Sequence, residues 1–159
     1  MTGPLRYGVI GTGMMGVEHI TNLLHLEGVE VTAISDPVAE SRDWAQLAVG
    51  LDTPLARFET HEELLASGRC DAVVIVGGTG SGKTTLANAI LAEPAFAADR
   101  VVLIEDTAEL QCSAADQIQM LTKRTEPQVT MTDLVRDTLR LRPDRIIIGE
   151  VRDGSALDL

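Results

Sequence analysis

The sequence predicts a three-layer α/β protein with a mainly parallel sheet, and three observations lead there. Short apolar, β-branched runs alternate with stretches of helical spacing along most of the chain. Two of these runs lead straight into glycine-rich loops that open helices, at residues 11–16 and 77–82. Three runs end in a carboxylate, at Asp36, Glu105 and Glu150. Such alternation implies parallel strands joined by crossover helices, with ligands meeting the loops at the C-terminal ends of the strands.

Leu5–Ile10 reads as the first strand, followed by Gly11-Thr-Gly-Met-Met-Gly16. Helical spacing over 14–27 puts Met14, Val17, Ile20 and Leu23 with Leu24 on one stripe, with Gly28 as the stop. Val29–Ser35 alternates into a second strand that ends at Asp36-Pro37. G-x-G-x-x-G between strand and helix, with an acid about 20 residues on, is the dinucleotide fingerprint. Gly11 makes the turn, Gly13 lets a pyrophosphate approach, and Gly16 allows close packing of helix on strand. Asp36 would accept hydrogen bonds from ribose hydroxyls, favouring NAD over NADP. A helix at 38–49, a strand near Ala56–Glu59 and a helix at Glu62–Ser67 extend this Rossmann-type half.

Val73–Val76 reads as a strand buried on both faces, since β-branched side chains suit a covered pleated surface. Gly77-Gly-Thr-Gly-Ser-Gly-Lys-Thr-Thr85 follows, and Lys83 onward has helical composition. This is G-x-x-x-x-G-K-T in its strand–loop–helix context. Backbone N–H groups of Gly77, Gly78, Thr79, Gly80, Ser81 and Gly82 would curl around phosphate oxygens, and the helix adds the positive end of its dipole. Lys83 would reach the β- and γ-phosphates, the Thr84 hydroxyl would hold Mg²⁺, and Thr85 counts with them as a nucleotide-binding residue. A glycine-rich connection with a chance Lys-Thr is the bland alternative, and the flanking strand and helix argue against it.

Further on, Val101–Ile104 reads as a strand delivering Glu105 and Asp106, and Ile146–Gly149 as another delivering Glu150. Gln117–Leu121 reads as a strand between them. Asp133–Leu141 reads as an amphipathic helix with Thr132 as N-cap. Carboxylates beside a phosphate loop suit Mg²⁺ coordination and the orientation of an attacking water, so Glu105 and Glu150 are the candidate catalytic and metal residues, with Thr84.

Composition narrows the classes. The chain has 159 residues, 45% of them apolar but only four aromatic, so its core must be aliphatic. A net charge of −11 argues against nonspecific nucleic-acid or anionic-membrane binding. Cys70 and Cys112 are too few for a disulfide framework, His19, His25 and His61 lack metal-like spacing, and no secretory leader or membrane span is legible, so a cytoplasmic protein is expected.

The motifs carry two resemblances. Tyr7-Gly-Val-Ile-Gly-Thr-Gly-Met-Met-Gly16, Ala33-Ile-Ser-Asp36 and Cys70-Asp-Ala-Val-Val-Ile-Val76 resemble the N-terminal domain of the glucose–fructose oxidoreductase/inositol dehydrogenase family. That family's catalytic lysine segment has no counterpart here, so the resemblance implies NAD binding at most. Gly77–Asn88, Val101–Leu110 and Leu141–Arg152 resemble the conjugal-transfer ATPases of type IV secretion. This second resemblance implies ATP and Mg²⁺ as cofactors, and makes Arg124, Arg140 and Arg152 candidates for sensing phosphate or a neighbouring subunit. For Arg140, ordinary helix-surface charge is favoured.

The two resemblances meet between Val76 and Gly77. The chain therefore reads as a hybrid, engineered or recombined, with a half at 1–76 and a truncated P-loop core at 77–159 in one continuous sheet. In the ATPase fold another strand separates the P-loop strand from the Gly-Glu strand, and Arg6–Ile10 is the available candidate. Binding of ATP·Mg²⁺ with weak or absent hydrolysis is expected. An NAD-binding fragment and an inert fold hybrid are the alternatives. An open apolar edge near Ile146–Glu150 is expected to promote homo-oligomers.

Overall fold

The computed structural model of the chain describes residues 3–78 and 80–150. In them β1 (Leu5–Ile10), β2 (Val29–Ser35), β3 (Ala56–Phe58) and β4 (Ala72–Ile75) alternate with α1 (Met14–Leu23), α2 (Ala39–Val49) and α3 (His61–Ala66). Beyond the second glycine loop come α4 (Lys83–Leu91), β5 (Arg100–Glu105), β6 (Asp116–Leu121), α5 (Met131–Thr138) and β7 (Arg145–Ile148). Every pairing between these strands is parallel, as an α/β alternation requires.

The strands form two sheets, not the single continuous one expected. One has the order β3-β2-β1-β4 and the other β6-β5-β7. The chain divides into two compact units after Lys83, so the loop 77–83 belongs with the first. The reason lies in where each apolar run ends up. In β5, Val101, Val102, Leu103 and Ile104 are all buried, and partners fill both its edges. In β4, Val73 is exposed and the strand pairs with β1 alone, so the run read as doubly covered is an edge strand. Nor does β1 separate the P-loop strand from the Gly-Glu strand, because β2 and β4 occupy its two sides.

Alternation along each central strand puts helices on both faces. In the second unit Val101 and Leu103 pack with Leu91 of α4, while Val102 and Ile104 pack with Met131 and Leu134 of α5. In the first unit Val9, Val31 and Ile34 pack with Ile20 of α1 and Ala45 of α2. On β1 a Cβ at Gly8 would meet Leu64 of α3 and Cys70 at about 3 Å, so the sheet and helix close here without a side chain. Each buried aliphatic side chain contributes about 1.5–3 kcal/mol of transfer free energy.

Two helix boundaries and the burial of one residue differ from expectation. Helix α1 ends at Leu23 because His25 and Leu26 donate to Asn22 and Leu23 in tighter i→i−3 bonds, before Gly28 turns at φ +74°. Met14, placed on the apolar stripe by its spacing, is 82% exposed at the head of that helix. Helix α5 starts two residues earlier than predicted. Thr130, not Thr132, is its N-cap, with Thr130 accepting from the Asp133 N–H and Asp133 reaching back to the Thr130 N–H. Among the described residues no helix is long and apolar enough to cross a membrane.

Candidate functional site

The second glycine loop leaves β4 where Val76 N–H still donates to Ile10 O at 2.8 Å. Thr79 lies outside the described residues. Ser81 N–H closes a turn onto Gly78 O, and Gly82 takes φ +86°, a conformation that disfavours any side chain. Lys83 folds back across its own loop, donating to Gly77 O at 2.9 Å and Gly78 O at 3.0 Å. Those carbonyls hold the ammonium over the mouth of the loop.

The first glycine loop leaves the neighbouring strand of the same sheet. Gly11 turns at φ +89°, and a Cβ there would run into the Val76 carbonyl oxygen. A Cβ on Gly16 would run into Gly11 O, which is the close helix–strand packing expected of it. Gly13 is the N-cap of α1 and brings no side-chain cap. Asp36 accepts from Thr12 N–H at 2.8 Å and from Val38 N–H at 2.9 Å, so the carboxylate is aimed by two amides and ties the loop to the β2–α2 turn. The Thr12 and Ser35 hydroxyls, both buried, have no hydrogen-bond partner among the described residues.

In the second unit, Thr84, Glu105, Asp106, Glu109, Gly149 and Glu150 line a cavity of about 60 Å³, with Arg124 at its side. That is room for roughly two waters. A larger open depression of about 530 Å³ beside β3 and α3, lined by Arg57, Phe58, Glu59 and Glu63, contains no motif residue, and the smaller cavity is the one we take as the site.

Glu105 is 2% exposed at the end of β5. Its Oε1 accepts from the Glu109 and Leu110 N–H groups, each at 2.9 Å, and its Oε2 from Gln119 Nε2 at 2.7 Å. This carboxylate therefore holds the following loop against the sheet. Glu109 is the residue that sequence reading missed. Its Oε2 accepts from Thr84 Oγ1 at 3.4 Å, and its carbonyl accepts from Asn88 of α4 at 3.3 Å. Its only sequence signal is the spacing of four from Glu105, inside a segment with no periodicity.

Asp106 accepts from Thr122 Oγ1 at 2.6 Å and from Arg124 at 3.0 Å, so Arg124 stands at the cavity through an ion pair. Arg140 is a surface residue, 3.9 Å from Asp137 in an i,i+3 pair, as favoured. Arg152 lies outside the described residues. Glu150 is exposed, and Gly149 N–H donates to Ile104 O at 2.8 Å, which brings the end of β7 beside Glu105. Thr85 is exposed on the first turn of α4. Among the described residues no three His, Cys, Asp or Glu side chains converge to hold a metal by themselves. A hard cation fits only as Mg²⁺ usually does, on one or two protein oxygens with water and phosphate completing its shell. Thr84 and Glu109 place a hydroxyl and a carboxylate oxygen together in that carboxylate-lined cavity.

The profile of the family described as "Type II/IV secretion system protein" matches residues 48–159. The conjugal transfer protein TrbB of Rhizobium radiobacter is 61% identical over 89 residues, 55% of this chain and 27% of its own. The type IV secretion system protein VirB11 of Bartonella quintana is 31% identical over 134 residues, 82% of this chain and 37% of its own. The chain thus spans well under half the length of these curated relatives. The family match begins ahead of Gly77, so the junction at 76/77 is not its limit, and the comparisons give no support to a chimera.

Among solved structures, apo scyllo-inositol dehydrogenase from Lactobacillus casei aligns with 94% of this chain and 37% of its own, at TM-score 0.52 and 16% identity. Myo-inositol 2-dehydrogenase from Lactobacillus plantarum aligns with 92% and 36%, at TM-score 0.50 and 17% identity. At that identity the likeness concerns the fold alone.

Proposed function

Since the chain belongs to the type II/IV secretion system protein family, we propose that it binds ATP·Mg²⁺ through residues 77–85, with little or no turnover. The observation that carries this reading is the glycine loop set after β4 and continued by α4, whose Thr84 hydroxyl is already bonded to Glu109. On this reading the loop amides and Lys83 take the phosphates, and Thr84 and Glu109 provide the oxygens facing the cation. Bound Mg²⁺ would neutralise phosphate charge. Glu105, predicted to act on a water, is instead committed to three donors. That commitment favours binding over hydrolysis.

Calorimetric titration of ATP with Mg²⁺ tests the reading. Lys83→Ala should weaken binding at least about tenfold, the loss of roughly one charge-assisted contact. Unchanged affinity in that variant, with its circular dichroism intact, refutes the assignment. A second reading, NAD binding on Gly11, Gly13, Gly16 and Asp36 without redox chemistry, is favoured by the strand order β3-β2-β1-β4, which reverses at β1 beside that loop. Self-association is proposed through the edge strand β7, whose Ile146 is 36% exposed, and light scattering that returns a monomer counts against it.

A further inference from the structure

Both glycine loops emerge at the C-terminal ends of adjacent strands of one sheet. Strands β1 and β4 are parallel neighbours in register, Ile10 opposite Ile75, so residues 11 and 77 begin their loops side by side. Strands at that pairing stand about 4.8 Å apart. The approach is closer still at the roots, because the Gly11 backbone lies against the Val76 carbonyl with no room for a Cβ. Loop residues 77–83 belong to the same compact unit as residues 11–16.

Charge sharpens the consequence. Across residues 11–16 and 77–83 the one cationic side chain is Lys83. Two polyanions bound side by side at this spacing would share a single ammonium and repel each other across a mouth walled by the protein.

We infer that the two loops form one phosphate-binding mouth in which a dinucleotide and ATP exclude each other. This rests on the proposed binding of ATP to residues 77–85. It makes Lys83 a contact for either ligand's phosphates, so occupancy would follow whichever nucleotide is in excess.

The test titrates the whole chain with fluorescent mant-ATP and Mg²⁺ at rising NAD⁺, beside direct calorimetry of NAD⁺ alone. The expected apparent Kd for mant-ATP rises about twofold when NAD⁺ equals its own Kd and about elevenfold at ten times that concentration. Lys83→Ala is expected to weaken NAD⁺ as well as mant-ATP, whereas separate sites would lose mant-ATP alone. NAD⁺ that binds without moving the mant-ATP Kd, or that does not bind at all, overturns the shared mouth and leaves the ATP reading standing. Mant-ATP that fails to bind in the absence of NAD⁺ overturns both.

Discussion

Replacing Glu105 by alanine removes the acceptor of three hydrogen bonds at once. The Glu109 and Leu110 N–H groups and the Gln119 side-chain amide all donate to this carboxylate, at 2.7–2.9 Å. A hydrogen bond to a charged group is worth about 1.5–3 kcal/mol net, and relief of the buried carboxylate's own desolvation offsets part of the sum. The expected loss for Glu105→Ala is therefore about 3–5 kcal/mol. Glu105→Gln behaves differently. Its oxygen can face the two backbone amides while its NH₂ faces Gln119, which turns its own amide over and accepts. All three bonds survive and only the charge is lost, a cost of about 1–2 kcal/mol. Urea unfolding followed by far-ultraviolet circular dichroism measures both variants, and hydrogen exchange reads the Glu109 and Leu110 amides directly. Loss of protection at those two amides in Glu105→Ala and its retention in Glu105→Gln is the expected pattern. An alanine variant within about 1 kcal/mol of the parent, with both amides still protected, would refute the anchoring role.

Two further outcomes concern stability. Arg6 donates from Nε at 3.0 Å and Nη2 at 2.7 Å to Asp71, and these hydrogen bonds hold the Asp71 carboxyl at about 2, below its ordinary 3.8. A depressed carboxyl contributes stability above the unfolded value, and that contribution is lost as pH falls through about 2, so Asp71→Asn should differ from the parent near neutrality and converge with it in acid. Urea midpoints taken down to about pH 2 check this, and a constant difference across the range counts against it. Thr130→Ala removes the cap of α5 and should cost about 1 kcal/mol, whereas Thr132→Ala should stay within about 0.5 kcal/mol. Equal losses in the two variants would show that the cap had been misassigned.

Local chemistry was legible where local chemistry decides the outcome. β1 and β2 fall on Leu5–Ile10 and Val29–Ser35 as predicted, since each is a bounded apolar run closed by a glycine or Asp36. Pairing was not legible, because it is decided by partners far along the chain. Val73–Val76 and Val101–Ile104 are nearly the same text, yet the first contributes an edge strand and the second a sheet centre. The propensity of such runs reports a fit to a pleated surface, not how many neighbours that surface has. The cap of α5 was recoverable from sequence: Thr130 and Asp133 have the spacing of a capping box, and Thr132 does not. Glu109 was not recoverable. It lies on an irregular segment whose course is set by Glu105 turning its amide back toward the sheet.

The same contacts explain why the proposed phosphate and cation arms differ in readiness. Thr84 and Glu109 are joined side chain to side chain, and Asn88, one turn further along α4, clamps the same segment by donating to Glu109 O and accepting from Gln111 N–H at 2.9 Å. Glu105 fixes that segment from the sheet side. The oxygens proposed to face the cation are thus held on a helix and a strand at once, which is the support that a precise site needs. Lys83 is held differently, by two carbonyls of its own loop, Gly77 O and Gly78 O. Those bonds must be exchanged for phosphate oxygens when a nucleotide arrives. Exchange of bonds to neutral carbonyls for bonds to an anion is favourable, since charge-assisted pairs are roughly twice as strong. Affinity on this reading is therefore set by how far the glycine loop must rearrange to release Lys83, more than by how well the carboxylates are placed.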